Sequence, residues 1–157
     1  MNEFKPMKTT MQIPSLLALC ALALATTGCS TFNRRWKQAT STPLSAEDIA
    51  GRWEGSWRSD GNGHHGRLRC LVAKLDDGHY RARYKAVYWK IFRFGYSVNM
   101  QVEQSSSHMF KFQGEAHLGW WGGGVYRYDG QATPTNFTST YKSKYGRGMF
   151  QMTRPSR

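Results

Sequence analysis

The sequence predicts an all-β domain: a small antiparallel up-and-down β-barrel of about eight strands, preceded by one short helical turn. Three observations carry this. Apolar and polar residues alternate with period two through most of the chain after residue 51, the mark of strands with one packed and one wet face. Turn chemistry interrupts the alternation at short, regular intervals: Asp60-Gly61-Asn62-Gly63, Asp76-Asp77-Gly78, Ser105-Ser106-Ser107, Gly122-Gly123-Gly124, Pro134-Thr135 and Tyr145-Gly146. No long helical period separates the strands, and a meander of this length sheds its two exposed edges most simply by closing on itself.

The chain begins outside this pattern. Lys5 and Lys8 precede an apolar run from Leu16 to Ala25, which ends in Thr26-Thr27-Gly28-Cys29-Ser30. A basic start, an apolar core too short to need reading as a membrane span, and small residues before a Cys together resemble the lipobox signal of bacterial lipoproteins. The resemblance implies that residues 1–28 are a signal peptide, that Cys29 receives the lipid, and that the protein is held in the cell envelope. With Ser30 and not Asp after the Cys, it implies the outer membrane, facing the periplasm. Thr26 occupies a position that the family usually fills with Leu, and secretion by cleavage after Ala23 or Ala25 is the alternative. Residues 29–44 are Ser/Thr-rich, carry Arg34, Arg35 and Lys37, and read as a flexible tether to a β-barrel domain over 45–157.

Within that domain, Ser45-Ala46-Glu47-Asp48-Ile49-Ala50-Gly51 predicts a single helical turn, with Ser as its cap and Gly as its stop. The first strand, 52–58, opens on Trp53. The second, 67–75, turns Leu68, Cys70 and Val72 inward, and the third, 79–89, places Tyr80, Ala82, Tyr84, Ala86 and Tyr88 opposite Arg81, Arg83 and Lys85. Strand 96–104 packs Val98, Met100 and Val102; strand 108–118 packs Phe110, Phe112, Gly114, Ala116 and Leu118. Strands 125–133, 136–143 and 147–154 contribute Tyr126, Tyr128 and Gly130, then Phe137 and Tyr141, then Phe150 and Met152.

Gly51-Arg52-Trp53 at the start of the first strand, with Arg154 at the end of the last, resembles the calycin superfamily of lipocalins and their bacterial relatives. The resemblance implies that Trp53 closes one barrel end and stacks against the Arg154 guanidinium, with Gly51 completing the motif. The physical logic stands beside it, because a plugging indole buries much apolar area and a cation over its face adds about 0.5–2 kcal/mol. The Thr-Asp-Tyr triplet typical of lipocalins is absent.

An eight-stranded barrel is either just filled by its side chains or holds one small ligand. Small residues at Ala82, Ala86, Gly114, Ala116 and Gly130 suggest a cavity, in which the hydroxyls of Tyr84, Tyr88, Tyr126, Tyr128 and Tyr141 would orient a small apolar or amphipathic ligand. Alternation of small and large side chains in a filled core is the competing reading. Trp120 and Trp121, flanked by glycines, are candidates for a lid over the mouth, a contact with a membrane interface or a plug folded back into the barrel.

A formal net charge of +12 attracts anionic partners: lipid headgroups, acidic wall polymers or nucleic acid. Export disfavours the last. The alternative function is therefore a filled barrel whose basic outer face, Arg67, Arg69, Arg81, Arg83 and Lys85, docks on anionic lipid, polymer or a protein. No nucleophile elbow or framed carboxylate pair is present, so no catalytic residues are assigned; Glu54 and Glu115 are read as acids either facing inward or pairing with arginines. Adjacent His64 and His65 lack further ligands at metal spacing, and neither a metal nor another cofactor is expected. Cys70 is the one cysteine outside the signal and the lipidation site, and its alternation places it in the core.

Overall fold

Eight antiparallel strands form one closed barrel in the computed structural model, which describes residues 31–40, 47–88, 92–120 and 123–156. The strands are β1 (Gly51–Ser59), β2 (His65–Lys74), β3 (Tyr80–Tyr88), β4 (Phe92–Ser106), β5 (Met109–His117), β6 (Val125–Ala132), β7 (Asn136–Lys142) and β8 (Arg147–Thr153). Each pairs with its successor, and β1 pairs with β8 to close the ring. The closed up-and-down topology is thus the one the alternation predicts. β4 differs most from expectation: it starts at Phe92 and bulges between Gln104 and Ser106.

Alternation decides which side chains fill the interior. Trp53, Leu68, Cys70, Tyr84, Val98, Met100, Phe112 and Phe137 are almost wholly buried, whereas Glu54, Arg69 and Lys111 on the opposite parity face outward. An apolar inside and charged outside is the reverse of a membrane-spanning barrel, so these walls are built to stand in water.

The short helix lies upstream of the expected turn. Residues 31–38, read from the sequence as flexible tether, are helical and lie against the outside of the barrel. Phe32 and Trp36, one turn apart, stack at 5.8 Å; the guanidinium groups of Arg52 and Arg69 sit 5.4 and 5.1 Å from the Trp36 ring. Lys85 covers Phe32 and donates to Asn33 Oδ1 at 3.1 Å. An eight-residue helix is too short to persist alone, and two aromatics cannot establish a period, so tertiary contact creates an element that the sequence conceals. Of the expected turn at 45–51, residues 45 and 46 lie outside the described residues, and 48–50 are irregular, held by Ala50 N–H donating to Asp48 Oδ1.

Candidate functional site

The two barrel ends differ. At one, where β1 begins and β8 ends, Trp53 is fully buried and its Nε1–H donates to the Ile49 carbonyl at 2.9 Å. The Arg154 guanidinium lies 3.8 Å from the centre of the Trp53 ring. Its N–H groups donate to the carbonyls of Ala50 (2.9 Å), Asp48 (3.2 Å), Pro134 (3.2 Å) and Arg52 (3.4 Å). One planar cation therefore ties the segment before β1 to the β6–β7 turn, which the fork geometry of arginine suits and a lysine ammonium does not. Burial lowers its pKa to about 10, a measure of how far the group is withdrawn from water, with Asp48 opposing the shift. Gly51 starts β1 at φ 113°, in the region that side chains disfavour, so the motif's glycine has a backbone reason as well.

The small residues mark no cavity at this end. A Cβ on Gly114 would crowd the Asn99 carbonyl and Val98, and one on Gly130 would meet the Phe112 ring and the Thr138 carbonyl. Large neighbours occupy that space: Phe112 stacks on Phe137 at 4.6 Å, and Phe137 packs tilted against Trp53 at 5.4 Å. Half of the barrel is a filled core.

The opposite end is open. A cavity of about 610 Å³ lies there, lined by Tyr88, Tyr126, Tyr128 and Tyr141 together with Trp57, Tyr96, Phe94, Phe150 and His64. Tyr84, the fifth tyrosine of the expected set, lies beneath it, with its ring 5.1 Å from Tyr96, 6.3 Å from Tyr128 and 5.4 Å from Phe150. The rings continue upward through Tyr126–Tyr141 at 6.0 Å and Phe94–Tyr96 at 6.1 Å to the rim. Such a wall offers flat apolar faces with hydroxyl groups at intervals.

Trp57, Phe94, Tyr96 and His64 are not among the expected site residues. Parity could have found Trp57 from Trp53, and Phe94 and Tyr96 from Val98, once β4 is extended to its true start. Nothing local marks His64: it belongs here because its Nδ1 lies 2.9 Å from the Tyr88 hydroxyl and its ring meets Tyr88 edge-on at 5.1 Å. His65 turns its Nδ1 instead to the Gly63 carbonyl. Glu54 and Glu115 are on the outer face, 3.8 Å from Arg69 and 2.8 Å from Arg127. Trp120 stands 79% exposed in the β5–β6 loop, while Trp121, Cys29 and residues 1–28, the expected signal peptide, lie outside the described residues.

Burial sets the chemistry. Desolvation pushes the phenols of Tyr84 and Tyr96 well above their ordinary range, and that of Tyr128 in the same direction. The Cys70 thiol, fully buried under Tyr84, is also pushed up and stays protonated, which removes its nucleophile. The cavity is lined largely by aromatic rings that carry hydroxyl groups, with no carboxylate among the described lining residues.

The raised phenols have a measurable consequence. The folded state holds protons that an unfolded tyrosine releases near pH ~10, so the unfolded chain binds fewer protons above that value and stability falls. Thermal melts followed by circular dichroism should give a constant melting temperature from pH 8 to ~9.5 and a decline above ~10. Absorbance at 295 nm should show these phenols ionising only as the barrel unfolds; free titration of every tyrosine near pH ~10 in a folded barrel would contradict the burial described.

Compared with protein-family models, curated proteins and solved structures, the chain matches none.

Proposed function

We propose that the protein is a lipid-anchored envelope protein that binds a small apolar or amphipathic ligand at the mouth of its barrel and performs no chemistry on it. The observation that carries the binding reading is the contrast between the ends: one plugged by Trp53 and Arg154, the other a 610 Å³ aromatic cavity. That volume falls within the range of small-molecule sites, and a mostly apolar wall with a few placed hydroxyls is their usual composition. The anchor rests on the sequence around Cys29.

Surface docking through the basic face has less support. Of the five cations assigned to it, Arg69 is stacked on Trp36, Lys85 is bound to Asn33, and Arg81 donates to Asn99 Oδ1 at 3.0 Å. The helix over 31–38 already uses part of that surface.

Leu118→Trp tests the cavity reading, because this rim residue is half-buried and lines the space. Displacement of a solvatochromic fatty-acid probe should weaken at least ~10-fold, equivalent to ~1.4 kcal/mol, while the far-ultraviolet spectrum is retained. Equal affinity in the variant, or no saturable probe binding by the native protein, would refute the site.

A further inference from the structure

We propose that the mouth end of the barrel is a docking surface for an anionic lipid bilayer, seated so that the cavity opens directly onto the membrane. Three features converge on this end.

The first is exposed apolar surface. Phe94, Trp120, Val125 and Tyr145 are large hydrophobic residues with 41–79% of their surface in water. Phe94 lies near the start of β4, Trp120 in the β5–β6 loop, Val125 at the first position of β6 and Tyr145 in the β7–β8 turn. All four elements meet at the mouth, where Phe94 and Tyr145 also line the cavity. The closed end has Met109 alone in that class among the described residues. Exposed tryptophan and tyrosine beside smaller apolar side chains suit the headgroup layer of a bilayer.

The second is charge. Glu47, Asp48, Asp76, Asp77 and Glu103 all lie toward the closed end, before β1, between β2 and β3, and late in β4. At the mouth, Asp60 lies 3.9 Å from Arg58, and Glu115 is matched by Arg127. Lys142, Lys144 and Arg147 flank the β7–β8 turn, and Arg93 adjoins Phe94. Arg52, Lys74, Arg81, Lys111 and Arg154 offset the acids of the closed end, so the surplus of positive charge lies at the mouth, where the apolar residues are exposed. Near an anionic surface, each such cation contributes about 1 kcal/mol, enough for a few to orient the molecule.

The third is the path of the chain. Thr31 and Phe32 line an outer groove together with Arg93 and Phe94, so the described chain starts beside the mouth. Cys29 is two residues earlier, and two residues reach at most about 7 Å. A lipid on Cys29 would therefore insert next to the rim and not beneath the plugged end. Only this third feature rests on the proposed anchor; the apolar and charged rim stands without it.

The geometry assigns a source to the ligand as well. A cavity whose mouth sits in the headgroup layer receives a molecule already in the bilayer, such as a single-chain lipid, without passage through water.

The test uses residues 29–157, the chain that remains once the proposed signal is cleaved, with Cys29→Ser, which removes the lipid and leaves only the buried, unreactive Cys70. Trp120→Cys, Tyr145→Cys and Asp77→Cys then carry an environment-sensitive fluorophore at two mouth positions and one at the closed end. Each is mixed with vesicles of phosphatidylglycerol and phosphatidylcholine containing a nitroxide-labelled lipid. Quenching at 120 and 145 should exceed that at 77 by at least ~3-fold, and should collapse in pure phosphatidylcholine or ~0.5 M salt. Equal quenching at all three sites, mouth probes that remain in water, or no vesicle binding overturns the proposal. Fatty-acid probe binding in the absence of vesicles reads the cavity independently, so either idea can fail while the other survives.

Discussion

Trp53→Ala is expected to destabilise the barrel by about 4 kcal/mol, the middle of the range for removing a buried aromatic side chain. The indole has no exposed surface, packs against Phe137 and supports the Arg154 guanidinium. Truncation leaves a cavity and removes the cation's aromatic partner together. For a domain of this size the melting temperature should fall by roughly 15 °C, read by circular dichroism. Arg154→Ala is expected to cost about 3 kcal/mol, because the carbonyls of Asp48, Ala50, Arg52 and Pro134 lose their donor at once. Arg154→Lys should recover less than about half of that, since a point charge cannot span four acceptors. The double variant should be less destabilised than the sum of the singles, by about 1 kcal/mol, which is the coupling expected of side chains in contact. Strict additivity would mean that the two residues act separately and that the plug is not one unit.

Gly55→Val should prevent the barrel from closing. The β1–β8 pairing is the sole seam between the two ends of the sheet, and Gly55 sits in it opposite Met152. A Cβ at Gly55 would fall inside the Gln151 carbonyl and crowd the Met152 backbone. Gly148 makes the reciprocal close approach, with no room for a Cβ beside the Arg58 carbonyl. The obstacle in both cases is backbone of the partner strand, so a change of rotamer cannot relieve it. Loss of at least about 3 kcal/mol is expected, and the opened sheet would present two unpaired edges. Size-exclusion chromatography should show aggregates, with dye binding to exposed apolar surface. Gly61→Val, in the β1–β2 loop where an added Cβ would meet no atom within 4 Å, is the control and should leave stability within about 0.5 kcal/mol. A soluble, cooperatively melting Gly55→Val protein would show that the seam tolerates displacement.

Much of the architecture is legible in the chain because a strand writes its environment into alternate residues. From Leu68 through Ala86, nearly every inward position is buried, and most strand boundaries fall within a residue or two of the turn signals. The site is less legible. Alternation shows that Tyr88, Tyr126, Tyr128 and Tyr141 face inward, but it is silent on height along the barrel axis, which separates a tyrosine in a cavity from one in a core. Tyr84 shows this: it shares the parity of Tyr88 yet lies sealed beneath the cavity. Gly114 and Gly130 show the converse, small residues whose space is taken by Val98 and Phe112. His64 and Phe32 acquire their roles only through side chains distant in sequence.

The sequence by itself therefore determines the strands, their inward faces, the surplus of positive charge and the Gly51-Arg52-Trp53 start of β1, since each depends on local order or composition. The tertiary structure decides that one end is plugged and the other hollow, that residues 31–38 form a helix, and that exposed apolar and basic residues gather around a single mouth. These depend on strand register and barrel closure, which bring together residues from β1, β4, β6 and β8 that no local pattern connects.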